Sequence, residues 1–260
     1  MFRKILTSFL FLIIACANSL SAAEPVFEKA DIPETKYFVG EKLTYKINYL
    51  GIPVGEAVSE VLEKKDVRGK LAYHIVVKVT SYRAIDFFYK VRDEHHSYVD
   101  VETLASIGYS CKISEGRNKF EETSEYDPKT GEVTAKRKGE VSRFAVLPRT
   151  QDQLSCGYFF RTLPVRENSS VFIPVQAEGK SWNMKVETFG VKSAKIEKVG
   201  QFQVLETRPM MPFRGIFFRK GEISGSISLD KRRIPLRMTV KIPILGRISS
   251  ELVSYVPGKD

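Results

Sequence analysis

The chain carries little equipment for chemistry: its 260 residues include three histidines, three cysteines and one tryptophan. No metalloprotease His-Glu-x-x-His helix, phosphate-cradling glycine loop or nucleophile elbow occurs in the context each requires. No Cys-x-x-Cys pair suggests a redox or zinc site. Beyond residue 23 no apolar run approaches the roughly 20 residues of a membrane-spanning helix. Asp93-Glu94-His95-His96 contains the usual metal-ligand types. Neighbours on a strand face opposite ways, however, so His95 and His96 cannot converge on one ion without a bulge, and the segment reads as a polar strand edge. Glu41, Glu56, Asp86 and Asp93 supply carboxylates without a spacing that pairs them for acid–base work. An enzyme is therefore the weakest of the readings, and nothing calls for a cofactor or a metal.

What is present begins with an address. Met1-Phe2-Arg3-Lys4, a mostly apolar run from Ile5 to Ala15 and the small residues Ser21-Ala22-Ala23 form a secretory signal over residues 1–23. Cleavage after Ala23 releases a chain beginning Glu24-Pro25, periplasmic or otherwise extracytoplasmic and soluble. Ile13-Ile14-Ala15-Cys16 also passes as a lipobox, in which Cys16 would carry a lipid anchor. Removing Arg3 and Lys4 lowers the formal net charge from +10 to +8. Such a charge either suits anionic envelope surfaces, more than nucleic acid that an exported protein seldom meets, or is a basic solvated surface with no charged partner. Once Cys16 is discarded or lipidated, Cys111 and Cys156 remain in a compartment that permits oxidation. They form either a disulfide or two separately buried thiols.

Period-two alternation rich in β-branched and aromatic residues recurs from Leu43 to Val256 and marks fifteen candidate strands. Among them are Phe87–Val99, Ser181–Phe189 and Ala194–Val199. Residues 24–37 read as a linker, and 38–256 as one all-β domain of antiparallel meanders forming a curved sheet or barrel. Its halves, about 38–146 and 170–256, are joined by one short helix over Gln151–Thr162, which Asp152 can cap. A shift of 130 residues aligns Phe87-Phe88 with Phe217-Phe218, Asp100 with Asp230 and Gly116-Arg117 with Gly246-Arg247, giving 8 identities over positions 87–124. A slightly different offset pairs 45–52 with 184–191. An internal duplication is the expectation, with chance similarity of two strand-rich halves as its alternative.

Two segments break the alternation with consecutive large side chains. One contains Phe87, Phe88 and Tyr89; the other contains Met210, Met211, Phe213, Phe217 and Phe218. Burial on both faces of a strand produces this pattern, and so does the rim of an apolar ligand site. The methionines favour an adaptable site, because flexible thioethers fit irregular ligands.

Taken in order, Gly40-Glu41-Lys42-Leu43-Thr44-Tyr45, Gly51-Ile52-Pro53-Val54-Gly55, Glu115-Gly116-Arg117, Gln151-Asp152-Gln153-Leu154-Ser155, Arg161-Thr162-Leu163-Pro164 and Asp230-Lys231-Arg232-Arg233-Ile234-Pro235 resemble exported bacterial proteins of the domain of unknown function 3108 family. The resemblance covers about residues 38–256. It implies a bacterial envelope location and brings no reaction, cofactor or catalytic residue. Ile227-Ser228-Leu229 stands where members often carry Trp before the last Asp turn. Three readings follow in order. The first is non-enzymatic binding of an apolar or amphipathic ligand such as lipid. The second is a scaffold or accessory module for an envelope protein or polysaccharide, and the third an enzyme acting on an envelope polymer.

Overall fold

A computed structural model describes residues 37–210, 222–242 and 246–259. The expected signal peptide, Cys16 and most of the expected linker lie outside those residues. The described residues form fourteen strands, most of them joined by tight turns. The first eight are β1 (Lys42–Tyr49), β2 (Ile52–Val67), β3 (Lys70–Ser81), β4 (Arg92–Asp100), β5 (Ser106–Glu115), β6 (Asn118–Asp127), β7 (Glu132–Arg137) and β8 (Glu140–Ala145). The second series is β9 (Ser170–Ala177), β10 (Lys180–Ile196), β11 (Gly200–Met210), β12 (Glu222–Ser228), β13 (Pro235–Ile242) and β14 (Gly246–Val256). Helices are short: α1 (Arg83–Asp86) and α2 (Ser155–Thr162). Turn chemistry explains the meander. Leu50-Gly51 takes positive φ at both positions (50° and 88°), the backbone of a type I′ hairpin, whose twist matches that of the strands it joins.

All fourteen strands form one antiparallel sheet in the order β8-β7-β6-β5-β4-β3-β2-β1-β14-β13-β12-β11-β10-β9. β1 pairs with β14 over its whole length, which joins the two meanders at the centre. The sheet curves until its edges meet through side chains. Tyr126 on β6 donates to Gln176 on β9 at 3.0 Å, and Arg137 on β7 lies 4.0 Å from Glu178 in the β9–β10 turn. Between the edges runs the connector, where Gln151 makes an isolated parallel bridge to Val175. The all-β, barrel-like expectation thus holds, with closure by connector and side chains instead of a fourteenth ladder.

Inside the curve lies α2, of which every residue but Gly157 is buried. A helix apolar around most of its circumference must be a core element. Tyr158, Phe159 and Phe160 pack with Ile75, Val77, Ile173 and Val175 of the sheet. The expected helix starts late, because Gln151 bridges to Val175 of β9 and Gln153-Leu154 form a turn before the first helical residue. Asp152 still caps it, accepting from the backbone N–H groups of Leu154 and Ser155 at 2.8 Å each.

Two strand expectations need correction. Phe87–Val91 is not part of β4: α1 and a loop replace it, because Asp86 is tied to Arg92 and to the Ser81 hydroxyl, pulling the chain into a compact link. Ser181–Phe189 and Ala194–Val199 are not separate strands. β10 runs through both and absorbs the break in alternation as a register shift between Thr188 and Val191. Strand lengths in β1–β6 are 8, 16, 12, 9, 10 and 10 residues, against 8, 17, 11, 7, 8 and 11 in β9–β14.

Candidate functional site

Segments far apart in sequence meet beneath α2. Glu41, just before β1, forms a bidentate ion pair with Arg161 in the last turn of α2, at 2.6 and 2.7 Å. Arg161 also donates to the carbonyl of Arg232 in the β12–β13 turn. Burial works against the guanidinium charge, but Glu41 outweighs it and raises the Arg161 pKa. Arg233 reaches the Leu163 carbonyl, and Tyr45 donates to that of Pro235 at 3.0 Å. At the other end of the connector, Asp152 is fully buried and accepts from Ser97 and Ser106 as well as from its two backbone donors. Burial nevertheless pushes its pKa up. These bonds lock α2 into the interior by both ends and fix the walls around it.

The locked helix leaves space beside it. An almost wholly apolar cavity of about 230 Å³ is bounded by Leu43, Tyr45, Ala57, Val77 and Tyr158, with Ile223 and Met238 from the second meander. A second, of about 380 Å³, is lined by Ile47, Gly55, Val79, Ile85, Tyr89 and Ile248. Each adjoining strand contributes residues two apart to the two cavities: Ser250 and Ile248 on β14, Tyr45 and Ile47 on β1, Ala57 and Gly55 on β2, Val77 and Val79 on β3. Residues two apart share a face of the sheet. The cavities therefore lie end to end along one face, as a trough running from α2 to the β3–β4 link.

The aromatic segment expected to mark a ligand site sits at the outer end of this trough. Phe87 and Phe88 are 88% and 81% exposed and stack edge to face on each other, with centroids 5.1 Å apart. Burial on both faces of a strand is thereby ruled out for them. Tyr89 lines the outer cavity and packs against Gly116, where a Cβ would come within 2.9 Å of its ring. Met210, at the end of β11, is exposed, and Met211, Phe213, Phe217 and Phe218 lie outside the described residues. Cys111 and Cys156 are both free and buried in this structure. Burial pushes their thiols up to about 11 and about 12, so neither is a reactive thiolate.

Histidine placement follows strand alternation. His95 points inward, with Nδ1 2.9 Å from the Tyr109 hydroxyl, while His96 points outward and meets His74, Nδ1 to Nε2, at 2.9 Å. The His74–His96 contact was not legible in the sequence, since their 22-residue separation acquires meaning only through the β3–β4 register. Glu41–Arg161 and the trough were missed for the same reason. Among the described residues no three His, Cys, Asp or Glu side chains converge in a way that could hold a metal ion.

One solved structure supports the architecture. A β-barrel-like protein of domain of unknown function DUF1849 from Brucella abortus is similar with a TM-score of 0.54 and 10% identity, over 84% of this chain and 97% of that one. A candidate exported protein with YmcC-like fold from Bacteroides fragilis aligns at 10% identity and a TM-score of 0.31, over 85% of this chain and 100% of the other. No functionally curated protein matches. No described helix is long and apolar enough to cross a membrane. Residues 44–253 match the family model "Protein of unknown function (DUF3108)", and the chain belongs to that family.

Proposed function

We propose that this is an exported, non-enzymatic envelope protein that holds an apolar or amphipathic ligand, such as a lipid acyl chain, in the trough beside α2. The observation that carries the reading is the end-to-end placement of two mainly apolar cavities along β14, β1, β2 and β3. Each is near or within the roughly 300–1,000 Å³ of ordinary ligand sites, and burying each methylene there is worth about 0.8 kcal/mol. Glu41–Arg161 and Asp152 act as the frame, holding α2 back from collapsing into the space. Export is supported by the N-terminal signal pattern of residues 1–23. The paired strand lengths and the 130-residue register support an origin by duplication, in which β1–β6 and β9–β14 are copies and β7–β8 an addition; the 45–52/184–191 pairing drops out, since 45–52 spans the β1–β2 hairpin and 184–191 lies inside β10. An experimental structure in which residues 42–127 and 170–256 failed to superpose strand for strand would reject that origin.

The ligand reading is tested by native mass spectrometry of protein purified from its own envelope without detergent exchange. Wild-type protein is expected to retain lipid. Ala57→Trp and, from the opposite wall, Met238→Trp fill the inner cavity and are expected to lose that lipid while keeping the wild-type far-ultraviolet spectrum. Two walls are used so that one overpacked variant does not decide the matter. Wild-type protein without bound lipid, or folded variants that keep it, would overturn the proposal.

A further inference from the structure

Three connections and the start of β14 crowd together at the outer end of the trough. The Arg247 carbonyl at the start of β14 accepts from Leu50 in the β1–β2 turn at 2.9 Å; the Val54 carbonyl accepts from Tyr82 at 3.0 Å; the Lys90 carbonyl accepts from Gly116 in the β5–β6 turn at 2.8 Å. Seven of the fifteen large apolar side chains exposed among the described residues belong to this rim, and Phe87 and Phe88 are the most exposed of all. Exposed apolar residues scattered singly need no explanation, but a contiguous patch marks an interaction site.

The charge of the rim says what the patch meets. Arg83, Lys90, Arg117 and Arg247 stand on these same connections, and none forms an ion pair among the described residues. The nearby Asp86 is paired with Arg92, and the outer cavity holds the carboxyls of Asp93 and Glu115. These two acids are outnumbered by the four cations on the connections. Aromatic side chains projecting from convex loops and flanked by unpaired cations match a water–lipid interface, where the rings enter the headgroup layer and the cations meet anionic lipid. A protein partner would more often be met by a groove than by two rings standing almost free.

We infer that this rim docks the protein on the surface of an anionic lipid bilayer, with Phe87 and Phe88 as the inserted side chains and the mouth of the trough facing the lipid. The inference rests on the proposed ligand site only for its purpose, since the docking surface is separate from the inner cavity.

Flotation of the mature chain with phosphatidylcholine vesicles, with and without phosphatidylglycerol, tests it. Binding is expected to the anionic vesicles and to weaken with salt. Phe87→Asp/Phe88→Asp is expected to reduce partitioning about tenfold or more at an unchanged melting temperature, because both side chains are already in water. Arg83→Glu/Lys90→Glu is expected to abolish the preference for phosphatidylglycerol. Ala57→Trp should still float with the vesicles although its inner cavity is filled. Absence of vesicle binding by wild-type protein that nonetheless retains lipid would overturn docking and leave the trough reading standing. Equal binding by the Phe variant, or binding to protein-containing envelope fractions but not to protein-free vesicles, would also overturn it.

Discussion

Glu41→Ala is expected to destabilise the fold by about 3–5 kcal/mol, seen as a lower urea midpoint, because it strands the Arg161 charge in the interior. Glu41 and Arg161 are 1% and 6% exposed, so water cannot replace the lost carboxylate. The same principle makes the double variant informative. Glu41→Met/Arg161→Met removes both charges and fills the volume with apolar atoms, and should recover most of the loss. Full recovery is not expected, since the Arg232 carbonyl also loses its donor. A single variant costing under about 1 kcal/mol would show that the pair is solvated or replaceable. A double variant as unstable as Glu41→Ala would show that geometry rather than charge is what the pair supplies.

The difference in stability between His95→Gln and wild-type protein is expected to change by about 3 kcal/mol between pH 6.5 and pH 4, in favour of the variant on acidification. Burial, with a smaller contribution from His96, lowers the His95 pKa from 6.5 to about 4. As pH falls the unfolded chain therefore takes up the proton first. The contribution of neutral His95 is complete above about pH 6.5 and is lost progressively down to about pH 4. Asp93, two residues away on the same face of β4, runs the other way. Burial raises its carboxyl from 3.8 to about 6, so its contribution is present below about pH 3.8 and lost as pH rises to about 6. Wild-type stability should consequently be flatter across this window than that of either His95→Gln or Asp93→Asn. Urea melts at several pH values check this, and a pH-independent difference between His95→Gln and wild type would contradict it.

Local order was readable because it has a local cause. Period-two alternation placed Leu43–Tyr49, Ala105–Ser114 and Phe120–Tyr126 within a residue or two of β1, β5 and β6, since each strand turns alternate side chains to the interior of one curved sheet. Reading stopped where the cause ceased to be local. Asp86 bonds across the link to Arg92 and thereby removes Phe87–Val91 from a strand that its composition favours. The bridge from Gln151 to β9 likewise delays the helix to Ser155, where capping chemistry alone would begin it at once.

The candidate site divides along the same line. Phe87, Phe88 and Tyr89 could be singled out because consecutive aromatics violate alternation, a signal carried by neighbours in the chain. Whether they were core or rim depended on what stood opposite them, and the structure leaves Phe87 and Phe88 in solvent. Most strand-forming segments, their turns and the connecting helix could be read from the chain, because all are set by interactions within a few residues. Only the tertiary structure decided that β1 pairs with β14, that Glu41 meets Arg161 across 120 positions, and that a trough remains open beside α2. A cavity is volume left unfilled by side chains from strands far apart, so register and closure must be in place before it exists.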